Sequence, residues 1–488
     1  MTLLIVLPIL APVVASVCAA AAGWRLSTAA VTLASALTIL GSGVALGVRV
    51  GDRQHLVFDG LLRADALSVT MLIVIGVVGT LAAWASIGYL DAELAAGHTD
   101  HRGARRYGVL TPAFLAAMVL AVSANNIGVI WVAIEATTVA TAFLVGHRGT
   151  RTALEATWKY VMVCSVGITI AFLGTVLLHF AARHAGAGGR DALDLDVLAA
   201  HAAALDPAVA RLAGALLLIG YGAKVGLAPF HTWLADAHSQ APAPVSALMS
   251  GVLLSVAFSV LIRIKPIIDT AVGPGFLRVA LLTVGLATLV IAALLLTVTT
   301  DLKRMLAYSS MENMGLIAIA AAAGTSLAIA ALLLHVLAHG VGKTVLFLAG
   351  GQLQAAHGST AINDITAVLP RSRLVGVSFA VGIVVLLGLP PFAMFASELS
   401  IARSLADARL AWALGLALLA MVVAFAALLT NSGRILLGVA ATDGPTIRVP
   451  VTVGGALVTG VAVSIALGVS AGPLATLFAT AARQLGAN

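Results

Sequence analysis

Runs of apolar residues, separated by short polar stretches, fill almost the whole chain. A helix needs about 20 mainly apolar residues to cross a bilayer, and by this measure the sequence predicts about fourteen membrane-spanning segments. Their even number places both ends of the chain on one side of the membrane. The segments lie near residues 3–22, 27–48, 67–90, 108–124, 126–146, 158–181, 209–228, 242–262, 274–298, 303–323, 326–350, 373–395, 410–431 and 450–472.

The connections between these segments are short. The longest polar ones, at 91–107, 182–208 and 351–372, are too short to form a soluble domain. The apolar run that begins at Leu3 has no basic stretch before it, so it predicts a retained first membrane helix rather than a cleaved signal peptide. We therefore expect one integral membrane domain over residues 1–488.

Composition agrees with a chain that is solvated mainly by lipid. Hydrophobic residues make up 61% of the chain and charged residues 10%, whereas soluble domains carry about 25% charged residues. Mean hydropathy is +1.08. The net charge of +7 comes mainly from the predicted loops and forms no basic stripe, which favours contact with acidic lipid headgroups over nucleic-acid binding. Basic loop residues divide almost equally between the two predicted sides, so the positive-inside rule assigns no orientation.

A proline-containing motif occurs twice. Residues 226–230 (Gly-Leu-Ala-Pro-Phe) lie in the seventh segment and residues 388–392 (Gly-Leu-Pro-Pro-Phe) in the twelfth. Five segments separate the copies, so they must cross the membrane in opposite directions. Proline within a span breaks the helix, and paired breaks in two halves are typical of ion sites near the midplane of inverted-repeat transporters. A pair of simple kinks is the alternative interpretation.

Few ionisable residues lie inside the predicted segments. Each costs at least about 2.5 kcal/mol at the bilayer centre, so its presence points to a function. These residues are Glu135, Lys224, Glu312, His335, His339, Lys343 and Glu398. Because burial and pairing act in opposite directions on the proton affinity of such groups, opening or closing an acid–base pair loads or releases one proton. Static salt bridges that lock helices together are the alternative.

The histidines have three possible interpretations. His335 and His339 have the i, i+4 spacing of zinc ligands, but a third ligand and a glutamate between them are missing. Two axial haem ligands would lie on facing helices, whereas this pair shares one face of a single helix with Lys343. We therefore interpret the pair as a proton relay. His231 and His238 follow the first break and predict a mouth of the proton path.

The residues around these charges resemble a known superfamily, the antiporter-like subunits of respiratory complex I and of Mrp-type cation/proton antiporters. The likeness covers roughly residues 55–430, and within the superfamily it is strongest to the antiporter-like subunit of hydrogenase-4 and related group 4 membrane-bound nickel–iron hydrogenases. The superfamily likeness is carried by residues 224–238 (KVGLAPFHTWLADAH), 301–310 (DLKRMLAYSS) and 335–343 (HVLAHGVGK). The likeness to hydrogenase-4 is carried by residues 125–138 (NNIGVIWVAIEATT), 155–165 (EATWKYVMVCS) and 241–250 (APAPVSALMS).

The resemblance implies an all-α polytopic fold with two inverted five-helix repeats, in which helices 7 and 12 are broken. Residues 1–107 would form helices 1–3. The first repeat would span residues 108–262 (helices 4–8) and the second residues 274–431 (helices 9–13). Residues 450–488 would form helix 14 and a C-terminal tail.

The resemblance also implies which residues carry protons. These are Glu135 in helix 5, Lys159 at the start of helix 6, Lys224 in helix 7, His335, His339 and Lys343 in helix 11, and Glu398 in helix 12. The chain departs from the pattern in helix 8, where complex I members usually have a lysine and this chain has Ser255. Either Ser255 hosts a water wire or the link between the half-channels runs through another residue.

Together these features predict a subunit that moves protons, or sodium ions, through buried Glu, Lys and His residues. Electron transfer in membrane and peripheral partner subunits of a hydrogenase-4-like or NADH:quinone oxidoreductase-like complex of the inner membrane would drive it. Cys18 and Cys164 are isolated in apolar runs, so we expect no cofactor in this chain, and nickel–iron, iron–sulfur or quinone groups only in the partners. The alternatives are a Mrp-type secondary antiporter without redox coupling and a structural membrane scaffold.

Overall fold

The computed structural model describes residues 1–51, 54–438 and 445–487. Over these residues the protein is built almost entirely of helices, with one two-stranded hairpin. The elements are α1 (Thr2–Ala22), α2 (Leu26–Gly47), β1 (His55–Val57), β2 (Leu62–Ala64), α3 (Ala66–Ala95), α4 (His101–Ser123), α5 (Ile127–Val145), α6 (Arg151–His184), α7 (Leu195–His201), α8 (Pro207–Val225), α9 (Thr232–Gln240), α10 (Ala243–Leu248), α11 (Leu254–Val272), α12 (Gly275–Val298), α13 (Leu302–Ala323), α14 (Ser326–His357), α15 (Val368–Arg371), α16 (Arg373–Leu386), α17 (Ala393–Asp407), α18 (Ala411–Leu437), α19 (Val451–Val469) and α20 (Gly472–Gln484).

Each of the fourteen predicted segments falls on a helix or on a broken helix. Within the described residues, twelve helices are long and apolar enough to cross a membrane. The tenth predicted segment falls on α13, which is more polar, and the twelfth falls on α16 and α17, which are short. The multi-pass helical fold is therefore confirmed, while fourteen crossings stay a prediction.

The polar connections differ in detail from the expectation. Residues 91–107 are mostly helical, because α3 and α4 extend into them and leave only residues 96–100 as a link. Between α2 and α3, strand β1 pairs antiparallel with β2. This hairpin was not predicted, because three-residue strands are too short to appear as long apolar runs.

Both proline motifs interrupt a crossing, as predicted. Residues 226–231 separate α8 from α9, and residues 387–392 separate α16 from α17. Gly226 and Gly388 have φ angles of 81° and 58°, a left-handed conformation that glycine adopts more readily than other residues. The broken helices of segments 7 and 12 are therefore confirmed.

The most deeply buried crossings are Ala243–Val272, which contains α10 and α11, and α14. They meet at two glycines, where a Cβ on Gly251 would lie 2.9 Å from the carbonyl oxygen of Gly340. Small residues allow helix backbones to approach this closely. Gly251 lies in a π-helical turn, Met249–Leu253, a feature that is frequent at functional sites. This crossing places the predicted relay of α14 at the centre of the molecule.

A buried ion pair joins the start of α3 to α11. Arg263 donates from Nη1 to Asp65 Oδ2 (2.7 Å) and from Nη2 to Asp65 Oδ1 (3.0 Å) and Ser68 Oγ (2.7 Å). Burial raises the pKa of Asp65, but the guanidinium groups of Arg263 and Arg63 outweigh this effect and hold that pKa well below its usual range. The pair therefore stays ionised and ties the two helices together.

Candidate functional site

Lys224 is fully buried in the last turn of α8. Its Nζ donates to the hydroxyl groups of Tyr160 on α6 (2.6 Å) and Thr138 on α5 (2.8 Å). The Tyr160 hydroxyl also lies 2.5 Å from Thr141 Oγ1. Among the described residues, no carboxylate oxygen lies within 4.0 Å of Lys224 Nζ. Because a hydroxyl both donates and accepts, these partners suit Lys224 whether its nitrogen is charged or neutral.

Small residues bring α6 and α8 close enough for this contact. A Cβ on Gly220 of α8 would lie 2.5 Å from the backbone nitrogen of Ala171, and a Cβ on Gly167 of α6 would lie 2.6 Å from the Cβ of Ala223. The position of Lys224 also matters electrostatically, since the unpaired carbonyls at a helix C-terminus favour a cation. The close packing of α6 and α8 and the unpaired carbonyls at the C-terminus of α8 together favour this position of the lysine.

Glu135 lies on α5, about one turn before Thr138. Its Oε1 accepts a hydrogen bond from Ser165 Oγ (3.1 Å), whereas its Oε2 is buried without a partner among the described residues. Glu135 and Lys224 interact electrostatically but make no direct ion pair. The predicted Glu135 and Lys224 therefore belong to one polar cluster of α5, α6 and α8, in which hydroxyl groups contact the lysine.

Lys343 is fully buried in the middle of α14. Its Nζ donates to the backbone carbonyl of Leu306 (2.6 Å) and to Ser309 Oγ, both on α13. No carboxylate of the described chain lies within 4.0 Å of this nitrogen, although Glu312 interacts with it electrostatically. The second predicted lysine thus also lacks a direct ion pair.

His335 is held on both sides of its ring. Its Nε2 donates to Asn313 Oδ1 (2.8 Å) on α13, and its Nδ1 lies 3.0 Å from Ser397 Oγ on α17. The Asn313 amide nitrogen donates to the Ser309 carbonyl (2.6 Å), and the Ser397 hydroxyl donates to the Met394 carbonyl (2.7 Å). α13 therefore contacts both Lys343 and His335. α17, the helix that follows the second break, also contacts His335.

Three buried polar side chains near the crossing of α11 and α14 lack complete partners. Four of their atoms have no hydrogen-bond partner in the described part of the chain: both ring nitrogens of His339, Nε2 of His238 and Oγ of Ser255. The sequence predicted His238 at a mouth of the path, but its side chain is fully buried. It donates from Nδ1 to the Leu234 carbonyl (2.7 Å), and its ring lies 6.0 Å from that of Phe347 on α14. Buried polar atoms are rarely left unpaired, and internal water commonly satisfies them. These atoms therefore mark a place for water.

Glu398 shares a cavity with Glu312. The cavity measures about 170 Å³ and lies between α13, α16, α17 and α18. Glu398 also lines a neighbouring cavity of about 240 Å³, and either volume accommodates several water molecules. Glu312 interacts electrostatically with both Lys343 and Glu398. The family resemblance implied no role for Glu312. This residue nevertheless interacts with both Lys343 and Glu398, for which the resemblance did imply a role.

Lys159 and His231 lie apart from these clusters. Lys159 is exposed on α6, where its Nζ pairs with Glu155 (2.6 Å) and Asp236 (3.0 Å). Asp236 also pairs with Arg304 of α13. His231 is half-buried directly after the first break, and its Nδ1 has no partner among the described residues. The proposed roles of Lys159 and His231 stay predictions.

The uncharged partners of the buried charges were not predicted from the sequence. They are Thr138, Tyr160, Ser309, Asn313 and Ser397. Burying an amide or a hydroxyl in a membrane costs less free energy than burying a charge, so these residues do not stand out in an apolar segment. The one sequence signal for two of these partners was their position directly after a charged residue, since Tyr160 follows Lys159 and Asn313 follows Glu312. Lys303 was not predicted as a buried charge, because it lies at the start of a segment, where a lysine usually reaches the membrane surface. In the structure it is buried and donates to the Ala241 carbonyl (2.7 Å).

The arrangement offers acids, bases and hydroxyls rather than grouped metal ligands. Across the described ranges, no group of three or more His, Cys, Asp or Glu residues is arranged to hold a metal ion. Cys18 and Cys164 are free thiols. Lys, Glu and His side chains exchange protons, so the clusters are suited to holding and passing protons.

Comparisons with known proteins identify the family. The chain matches the family described as "NADH:quinone oxidoreductase/Mrp antiporter, TM" over residues 124–429. It is 36% identical over 342 residues to the hydrogenase-4 component F homolog of Methylacidiphilum infernorum (isolate V4), which is 70% of this chain and 71% of that protein. It spans about half the length of several other curated relatives that it matches.

Two solved structures share the fold. One chain of the membrane-bound sulfane sulfur reductase, an archaeal respiratory membrane complex, has a TM-score of 0.87 and 23% identity, covering 100% of this chain and 97% of that chain. One chain of the Mrp complex from Dietzia sp. DQ12-45-1b has a TM-score of 0.86 and 23% identity, covering 99% and 98%. The resemblance found in the sequence is confirmed. This antiporter-like, multi-pass membrane protein belongs to the NADH:quinone oxidoreductase/Mrp antiporter family.

Proposed function

We propose that this chain is the proton-translocating subunit of a redox-driven complex of the hydrogenase-4 or NADH:quinone oxidoreductase type, in the cytoplasmic membrane. One observation carries the proposal. Lys224 and Lys343 are fully buried, and each interacts electrostatically with a carboxylate that makes no ion pair with it. A static salt bridge needs its charges in direct contact to offset desolvation. Acid and base groups held apart, with hydroxyls and water between them, are suited to exchanging a proton.

The proposed path has two half-channels and a hydrated centre. Each half-channel would belong to one repeat, residues 108–262 or 274–431. The proposed groups are Glu135 and Lys224 in the first half, Ser255, His238 and His339 with water at the centre, and His335, Lys343 and Glu398 in the second half. Water at Ser255 would replace the lysine that complex I members usually have there. Lys159 and His231 would lie at the mouths of the path.

The redox chemistry would take place in other subunits. The relative at 36% identity is named as a component of hydrogenase-4, and one neighbour in fold comes from a respiratory membrane complex. We propose membrane and peripheral partners that carry the nickel–iron, iron–sulfur or quinone groups. Moving one charge against 100 mV costs about 2.3 kcal/mol, and electron transfer in these partners would supply it.

Two substitutions test the path in the intact complex. The complex would be purified through a tag on this chain, sealed in vesicles and supplied with H₂, NADH or reduced methyl viologen, while an acid-sensitive dye follows the lumen. We expect electron flow to acidify the lumen in the parent, and both Lys224→Ala and Glu135→Gln to abolish acidification. Lys265→Ala is the matched control, because Lys265 pairs with Asp269 (2.5 Å) away from the path. It should acidify as the parent does.

Three outcomes contradict the proposal. Parental acidification in both variants would mean that the path is misplaced. A complex without redox subunits that exchanges protons for Na⁺ under an imposed gradient would support the Mrp-type alternative. Loss of subunit assembly in Lys224→Ala and Glu135→Gln, but not in the control, would support the structural scaffold.

A further inference from the structure

The hydrogen-bonded chain near Lys343 does not conduct a proton along its whole length. Lys343 donates to the Ser309 hydroxyl, which in turn donates to the Leu306 carbonyl. His335 donates to Asn313, whose amide nitrogen donates to the backbone carbonyl of Ser309 and not to its hydroxyl. The carboxamide of Asn313 has donors and an acceptor but no group that titrates. It therefore interrupts proton transfer between Lys343 and His335. A proton that leaves Lys343 toward α17 needs a different acceptor.

Glu312 has the properties of that acceptor. Its side chain lies next to Asn313 on α13, is 9% exposed, and forms no hydrogen bond with the described residues. It interacts electrostatically with Lys343 on α14 and with Glu398 on α17. Burying a carboxylate without a partner costs free energy. A purely structural role gives no reason for keeping such a residue in the middle of α13.

The cavity between Glu312 and Glu398 favours a shared proton. Apart from these two residues, it is lined only by Leu, Met, Val and Phe side chains of the described chain. Two carboxylates that face an apolar cavity repel each other strongly, because the local dielectric constant is low. The pair is therefore stabilised when one member carries a proton. The volume of about 170 Å³ is also large enough for water molecules that could link the two groups.

We propose that Glu312 is a proton-carrying residue that takes a proton from Lys343 and passes it to Glu398, an inference that rests on the function proposed above. In the first step the ammonium group of Lys343 gives a proton to the carboxylate of Glu312, which leaves a neutral amine and a carboxylic acid. In the second step that acid gives its proton, through water in the shared cavity, to the carboxylate of Glu398. Glu312 returns to its carboxylate form, so each step conserves protons and charge.

Substitution of Glu312 tests this step in the intact complex in vesicles. We expect Glu312→Gln to lower the rate of proton pumping by roughly a hundredfold, the lower end of the usual contribution of a positioned proton-transfer group. Glu312→Asp keeps the carboxyl group and should restore a large part of the pumping. Asp407→Asn is the matched control, because Asp407 is an exposed carboxylate at the end of α17. It should pump as the parent does.

Chemical labelling gives a readout that does not depend on assembly of a variant. A hydrophobic carbodiimide reacts with protonated carboxyl groups in apolar surroundings, and peptide mass spectrometry locates the product. We expect labelling of Glu312 in the parental complex. Parental pumping by Glu312→Gln, while Glu135→Gln is inactive, would overturn the role of Glu312 and leave the proposed function intact. Absence of label on Glu312 between pH 6 and pH 8 would also overturn it, since a permanently ionised carboxylate does not react.

Discussion

The protein buries charge in two contrasting ways. At the start of α3, Asp65 and Arg263 are 2% and 6% exposed and form two direct hydrogen bonds. In the polar cluster of α5, α6 and α8, Lys224 is also fully buried, but it contacts only the hydroxyls of Tyr160 and Thr138, and Glu135 stays out of contact. Burial is therefore similar at the two places, while the partners differ.

This difference separates a structural charge from one suited to function. A bidentate arginine–carboxylate pair satisfies both groups in one protonation state, and either group left alone would be an uncompensated buried charge. A lysine among hydroxyls keeps hydrogen bonds in two protonation states. The chemistry of the partner therefore distinguishes the proposed proton-carrying residues from structural charges better than the depth of burial does.

Breaking the ion pair should have the largest effect on stability. We expect Arg263→Met to destabilise the protein by about 3–5 kcal/mol, because Asp65 would lose its main partner. The pKa of Asp65 is depressed in the folded protein, so its contribution is fully present above its unfolded pKa of about 3.9 and is lost as the pH falls below that value. The apparent melting temperature of the detergent-purified complex, measured across this pH range, checks both expectations.

A double variant serves as the control for this prediction. Asp65→Asn combined with Arg263→Met removes both charges, so part of the lost stability should return. Pumping per assembled complex should stay close to the parental value in both variants. A specific loss of pumping in complexes that melt normally would show that the ion pair belongs to the proton path, and the contrast would fail.

The candidate site could be predicted from the sequence only where its residues carry charge. An ionisable group in an apolar run is costly and points to a function. On this basis the sequence predicted roles for Glu135, Lys224, Lys343 and Glu398. Both breaks were found because proline and glycine act locally on the backbone. The partners of these charges come from other helices, as Tyr160 does for Lys224 and Asn313 does for His335. Such partners depend on helix packing, which apolar spacing does not specify.

Removing the hydroxyl of Tyr160 should have a smaller effect than breaking the ion pair, and one on a different quantity. We expect Tyr160→Phe to lower pumping about tenfold, since a hydrogen bond to a charged group contributes about 1.5–3 kcal/mol. Melting of the complex should change little. Tyr107→Phe is the matched control, because the buried Tyr107 hydroxyl contacts Ser86 (2.6 Å) instead of the path. Equal pumping in the two variants would contradict the role assigned to the hydroxyls around Lys224.

The Ser397 hydroxyl should have the smallest effect of the three. It carries a single hydrogen, which points to the Met394 carbonyl, while its oxygen lies 3.0 Å from Nδ1 of His335. Reorientation of that hydrogen toward Nδ1 would suit a neutral His335, and the present arrangement suits one that is protonated at Nδ1. The hydroxyl therefore resembles the partners of Lys224 rather than those of Arg263.

We expect Ser397→Ala to lower pumping severalfold, because a hydrogen bond of this kind contributes about 0.5–1.5 kcal/mol. Electron-driven acidification of vesicles measures the change. Ser400→Ala is the matched control, since Ser400 lies on the same helix and donates only to the Ala396 carbonyl (2.7 Å). If both variants lose pumping equally, the effect belongs to helix α17 as a whole. If only Ser397→Ala does, a hydroxyl that suits two protonation states is a feature of both half-channels.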